Sequence, residues 1–130
     1  MQTVYVDTSV LGRVLLDEPD KPAIQRDLAK FGQRVASRLL RVELRRVGLR
    51  RELLDRADAL IRDVSLIPID EGILDSTETL APPTVGTLDA IHLATAVRLS
   101  KEGRLDALMT YDKQLADGAR EHDLEVLIPS

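Results

Sequence analysis

The sequence predicts an α/β fold built on a parallel sheet with helices on both faces. Short β-rich apolar runs recur along the chain, each followed by a segment of helical periodicity, so consecutive strands are joined by crossovers. The segment Thr87–Lys101 is apolar nearly all round, which a helix tolerates only when it is buried on several sides. The 130 residues, 44% of them apolar, suit one domain spanning residues 1–130 with a single core.

Taken in order, Thr3–Val6 is a β-rich run that ends at Asp7. Ser9–Leu16 follows as a helix, stopped by Glu18-Pro19-Asp20-Lys21-Pro22, where the prolines cannot continue it. Ala23–Lys30 is a second helix and Gln33–Ala36 a short strand after Gly32. Ser37 then opens a helix running to about Arg51, and Glu52–Val64 continues as another. Leu66-Ile67-Pro68-Ile69 is a strand whose proline marks an end or a bulge. Glu71–Leu80 is helical and residues 81–86 form a loop before the helix Thr87–Lys101. Ala107–Thr110 is a strand, Lys113–His122 a helix, and Glu125–Ile128 a last strand. In parallel sheets of this kind, ligands gather at the carboxyl ends of the strands. Asp7 and Asp112 stand at two such ends.

Composition removes several function classes. With no cysteine there is no disulfide, thiolate metal site or cysteine nucleophile. Any metal must sit on oxygen ligands or on His92 and His122, and oxygen-rich sites prefer magnesium or manganese. No positively charged leader precedes the first apolar run, and no apolar stretch approaches a membrane span, so a cytoplasmic protein without membrane contact is expected. The net charge of −4 is unevenly spread. Residues 34–62 hold nine arginines against four acids, a local excess of five positive charges that leaves nine negative on the remainder. That asymmetry suits a polyanion or an acidic partner, and equally a solvated helix face laced with ion pairs.

Four acids occupy positions that folding alone would not choose. Asp7 follows an apolar strand, although an N-cap would explain it too. Glu43 lies at the edge of the helix face formed by Ala36, Leu40, Leu44 and Val47, with Arg46 and Arg50 flanking it as salt-bridge candidates. Asp89 sits in the first turn of the apolar helix, where the helix dipole favours a carboxylate. Asp112 ends a strand, with Asp117 just over a turn later as a secondary member or a surface acid. Hydrolysis of a phosphodiester needs an activated water and neutralisation of the leaving oxygen, which one or two magnesium ions held by carboxylates supply.

These residues resemble a known family. Val4-Tyr5-Val6-Asp7-Thr8-Ser9-Val10-Leu11 resembles the opening of PIN domains. Leu88-Asp89-Ala90-Ile91-His92-Leu93-Ala94-Thr95-Ala96 is similar to the signature of their VapC-type toxin branch, and Met109-Thr110-Tyr111-Asp112-Lys113-Gln114-Leu115 resembles the segment after it. With Val42-Glu43-Leu44 the ordered match spans nearly the whole chain. The resemblance implies a three-layer α/β/α sandwich with a five-stranded parallel sheet, and a magnesium-dependent endoribonuclease, with manganese as the substitute ion. It implies Asp7 and Asp89 as the main metal ligands and Glu43 and Asp112 as the rest of a catalytic acidic pocket. Ser9 and Thr8 would hydrogen-bond the first carboxylate or a metal-bound water, with Asp117 in support. His92 would be a packing or supporting residue. Gly86 departs from the arginine often found at that position, which removes any contact made from there.

The implied partners are RNA, a VapB-type antitoxin and a second copy of the chain in a homodimer. Arg46 and Arg50 would contact the RNA backbone, and apolar residues at Val10, Val14, Leu15, Leu49 and Leu53 would receive an amphipathic antitoxin helix. Rival readings are an RNA-processing PIN nuclease without an antitoxin and an inert PIN interaction module, although the latter would be expected to have lost an acid. A haloacid-dehalogenase-type phosphotransferase would need an aspartate where Ser9 stands. A receiver domain would need a lysine where Tyr111-Asp112 end the strand.

Overall fold

The computed structural model describes residues 2–130. Its elements run β1 (Thr3–Val6), α1 (Thr8–Leu15), α2 (Lys21–Leu28), β2 (Gln33–Ser37), α3 (Leu39–Arg50), α4 (Leu54–Arg62), β3 (Ser65–Ile67), α5 (Glu71–Thr79), α6 (Thr87–Lys101), β4 (Ala107–Met109), α7 (Lys113–Glu121) and β5 (Val126–Leu127). Every strand pairing is parallel, in the spatial order β3-β2-β1-β4-β5. The chain leaves β1 through β2 and β3, then returns past it to β4 and β5. Right-handed crossovers in opposite directions send the connecting helices to opposite faces. Helix α1 accordingly packs on α2, α3 and α4, while α6 packs on α5 and α7. The result is a three-layer α/β/α sandwich with its topological switch point between β1 and β4. In open sheets of this kind the ligand crevice lies at such a point, at the carboxyl ends of the strands.

The central strand explains its own sequence. Val4, Tyr5 and Val6 are all fully buried because helices cover both faces of β1, so no polar alternation is needed. On α1, Val10, Leu11, Val14 and Leu15 form the buried stripe. This corrects the expected docking surface: Val10 and Leu15 are 0% exposed and Val14 7%, because α2, α3 and α4 cover that face. Burying each such side chain contributes about 1.5–3 kcal/mol, which outweighs any gain from holding it exposed for a partner. Leu49 is exposed and Leu53 partly buried. Both line a surface groove of about 610 Å³ with Leu54 and Arg56.

Helix α6 spans the predicted Thr87–Lys101 and buries eight side chains from Ala90 to Leu99. Several boundaries differ from expectation. Ser37 ends β2, pairing with Ile67, and its hydroxyl accepts the Leu39 N–H at 3.1 Å, so α3 begins at Leu39 and Ala36 belongs to the sheet. Glu52 does not start α4. It takes a left-handed conformation (φ 57°) that ends the α3 path, and α4 begins at Leu54. The tight return depends on Gly48, where a Cβ would stand 3.1 Å from that of Ala57 and 3.2 Å from the Leu53 carbonyl. Strand β3 stops at Ile67, immediately before Pro68, which has no N–H to extend the ladder.

Candidate active site

The register of β1 on β4 sets Val6 opposite Met109, and the Asp7 N–H donates to the Met109 carbonyl at 3.0 Å. Asp7 and Thr110 therefore emerge side by side at the switch point. Asp7 is 3% exposed. Its Oδ2 accepts from the Ser9 hydroxyl at 2.7 Å, the Thr110 hydroxyl at 2.8 Å and, more loosely, the Ser9 N–H at 3.4 Å. The two hydroxyls are directed by amides behind them. Tyr111 N–H donates to Ser9 Oγ at 3.0 Å, and Asp112 N–H donates to Thr110 Oγ1 at 3.0 Å. Asp112 in turn caps α7, its Oδ1 accepting from Leu115 N–H at 2.9 Å. One oxygen of each aspartate is thus anchored, that of Asp7 by hydroxyls and that of Asp112 by a backbone amide.

Glu43 enters from α3 in one helical layer and meets His92 of α6 from the other, across the carboxyl edge of the sheet. His92 Nε2 lies 2.7 Å from Glu43 Oε1 and 4.0 Å from Asp7 Oδ1. Thr8 donates its hydroxyl to the same Glu43 oxygen at 2.7 Å. Burial would push the Glu43 pKa up, but the hydrogen bonds from His92 and Thr8 lower it. His92 is fully buried. Burial would lower its pKa, and the Glu43 hydrogen bond with the charges of Asp7, Glu43 and Asp89 outweighs that and raises it. Behind the ring, Nδ1 lies 2.6 Å from the hydroxyl of Tyr5, which accepts the Ser37 N–H at 2.9 Å.

Asp89 lacks such support. It is half-buried in the first turn of α6, and its pKa is raised to about 6. Burial is the main cause, followed by the charges of Asp112 and Asp7 and a hydrogen bond with Asp112, which His92 only partly offsets. On balance these neighbours leave the charged form of Asp89 poorly supported. Among the described residues, no three carboxylate or imidazole groups already stand in a metal-binding arrangement. Magnesium keeps several waters and takes only one or two carboxylates directly, so an all-oxygen donor set with uncompensated charge at Asp89 suits it without a closed cage.

The structure therefore brings Asp7, Glu43, Asp89 and Asp112 to one edge of the sheet, with Ser9 on Asp7. Thr8 differs from expectation: its hydroxyl serves Glu43 instead of Asp7. Glu43 is satisfied by Thr8 and His92, so the suggested pairing with Arg46 or Arg50 is also corrected; both arginines lie exposed on α3. Asp117 is exposed on α7 and pairs with Arg120 at 3.4 Å, with no hydrogen bond to the other acids among the described residues. Sequence reasoning overlooked Tyr5, Ser37 and Thr110. The available signal was a lone phenol in an aliphatic strand, since a buried hydroxyl needs a partner.

Residues 4–121 match the family model described as PIN domain. Ribonuclease VapC47 of Mycobacterium tuberculosis (strain CDC 1551 / Oshkosh) is 38% identical over 125 residues, covering 91% of this chain and 90% of that protein. Ribonuclease VapC46 of Mycobacterium tuberculosis (strain ATCC 25618 / H37Rv) is 34% identical with both chains fully covered. The fold is shared with a toxin-antitoxin complex from Klebsiella pneumoniae at a TM-score of 0.76 and 20% identity, over 98% of each chain. The chain belongs to the PIN-domain family.

Proposed function

We propose that this chain is a metal-dependent endoribonuclease that acts as the toxin of a toxin–antitoxin pair. The observation that carries the reading is the carboxylate edge at the switch point, where Asp89 is held at a pKa of about 6 beside Asp112 and Asp7. Asp7 and Asp89 would hold magnesium, or manganese in its place, and the ion would supply charge neutralisation and an acidified water. Glu43 and Asp112 complete the acidic pocket, each with one carboxylate oxygen anchored. Ser9 and Thr110 fix the Asp7 rotamer, so the acid reaches the crevice without a reorganisation cost. Exposed Arg46 lies one turn beyond Glu43 on α3 and Arg50 a turn further, so an RNA backbone on that ridge would lead into the acids.

The relatives named ribonuclease VapC support RNA as the substrate, and the fold shared with a toxin-antitoxin complex supports an antitoxin partner of VapB type. With α1 buried, the groove at Leu49 and Leu53 is the remaining candidate to receive part of that partner. A homodimer remains part of the proposal. Purified chain incubated with total RNA should cleave with Mg²⁺ or Mn²⁺, stop with EDTA, and not recover with Ca²⁺, whose larger shell relaxes the geometry. Full cleavage in metal-free buffer would exclude the mechanism.

A further inference from the structure

We propose that Tyr5 and His92 are positioning residues: they form a one-way hydrogen-bond relay, from the Ser37 N–H to Glu43, that fixes which oxygen of Glu43 faces the crevice. The relay rests on the nuclease reading only for its consequence, not for its geometry.

The direction follows from counting donors. The Tyr5 hydroxyl has one proton and two lone pairs. The Ser37 N–H fills one lone pair at 2.9 Å and can only donate. Among the described residues, the hydroxyl's one other partner is His92 Nδ1 at 2.6 Å. Tyr5 is fully buried, so its proton has no water to turn to and must go to Nδ1. The surrounding carboxylates favour a charged ring, but a second proton on Nδ1 would strand the phenol proton in the core as an unmet donor, which holds the ring neutral.

With Nδ1 an acceptor, the ring proton sits on Nε2 and points at Glu43 Oε1, 2.7 Å away. Thr8 adds a second donor to the same oxygen. Oε1 is thereby saturated and Oε2 is left to the crevice. The two elements involved lie in opposite helical layers, so the relay also ties α6 to α3 across the sheet edge.

The test begins with the unmodified, metal-free chain. Long-range ¹H–¹⁵N spectra of His92 should show a protonated Nε2 and an unprotonated Nδ1. The Nδ1–H tautomer or an imidazolium would overturn the relay, and neither result depends on nuclease activity. Kinetics then tests its consequence. Tyr5→Phe and His92→Phe should each lower kcat by about tenfold with KM for RNA unchanged, as orienting partners of an active-site carboxylate do. His92→Gln, which can keep a donor near Nε2, should recover most of the loss. Wild-type kcat in a folded His92→Phe, or no recovery in a folded His92→Gln, would also overturn the proposal. An inactive wild type with the expected tautomer would instead count against the nuclease reading alone.

Discussion

Asp7 and Asp70 obey the same local grammar and end in different chemistry. Each follows a strand and caps the next helix, Asp7 accepting from Ser9 N–H and Asp70 from Ile73 N–H. Asp70 stands beyond the edge strand β3, exposed, where Arg98 reaches it at 3.0 Å. The Ile73 hydrogen bond first, and Arg98 second, lower its pKa. Asp7 stands at the switch point, buried, with hydroxyls and an amide around one oxygen and the His92 ring 4.0 Å from the other. A strand-end aspartate is thus a cap wherever it falls; topology decides whether a cation of the protein completes it. Where none does, as along the edge shared by Asp7, Asp89 and Asp112, the charge is left for something that the chain does not contain.

The most forceful way to break this comparison is to neutralise acids on each side of it. Asp7→Asn and Asp89→Asn should each lower RNA cleavage by on the order of a thousandfold, as members of a catalytic unit do, while Asp70→Asn stays within about twofold of wild type. The same variants should lift the growth arrest expected when the chain is expressed without an antitoxin. Near wild-type cleavage by folded Asp7→Asn would refute the metal-ligand assignment. An active enzyme that is harmless when expressed alone would point to RNA processing without an antitoxin. A smaller effect is expected on the cationic side. Replacing Arg46 and Arg50 by Gln should weaken RNA binding and flatten its logarithmic salt dependence by about 0.7 for each phosphate that is no longer neutralised. An unchanged slope would assign these arginines to another role.

Much of this was legible in the sequence because strand–helix alternation and the carboxyl-edge acids are local signals. The helix Thr87–Lys101 was set by a nearly all-apolar run, and the parallel sheet by the need for crossovers. Tertiary partners were not legible. Val10, Val14 and Leu15 form an apolar stripe that suits a partner or a core equally, and only the covering by α2, α3 and α4 decides it. Glu43 looked ready for Arg46 on its own helix, but its partners come from residues 35 and 49 positions away, Thr8 and His92. Ser37 carries an N-cap side chain, so it resembled a helix start, while pairing with Ile67 keeps it in the sheet. Glu52 shows no signal of the left-handed conformation it adopts.

The finest distinction between the two environments is the sign of their pH dependence in the metal-free chain. Asp89 has its folded pKa raised from 3.8 to about 6. Below 3.8 the carboxyl is protonated in both states and contributes nothing. Between about 4 and 6 the unfolded chain releases the proton while the folded chain keeps it, so stability falls as pH rises, and above 6 the penalty is complete. Asp89→Asn cannot ionise, so it should be more stable than wild type at about pH 7 and equal to it near pH 4. Partial exposure screens the repulsion, which limits the gain to about 1 kcal/mol. Asp70 has the opposite sign. Its lowered pKa contributes stability above 3.8 that is lost as pH falls through the folded value, so Asp70→Asn should be the less stable chain at about pH 7 and converge on wild type in acid. Urea titrations of the three proteins at about pH 4 and pH 7, in EDTA, measure both differences. Added Mg²⁺ should then erase the advantage of Asp89→Asn by stabilising only the chain with its carboxylate intact, and should leave the Asp70→Asn difference unmoved. If Asp89→Asn gains nothing at neutral pH, the carboxylate edge is already neutralised by the fold, and the contrast between the two aspartates disappears.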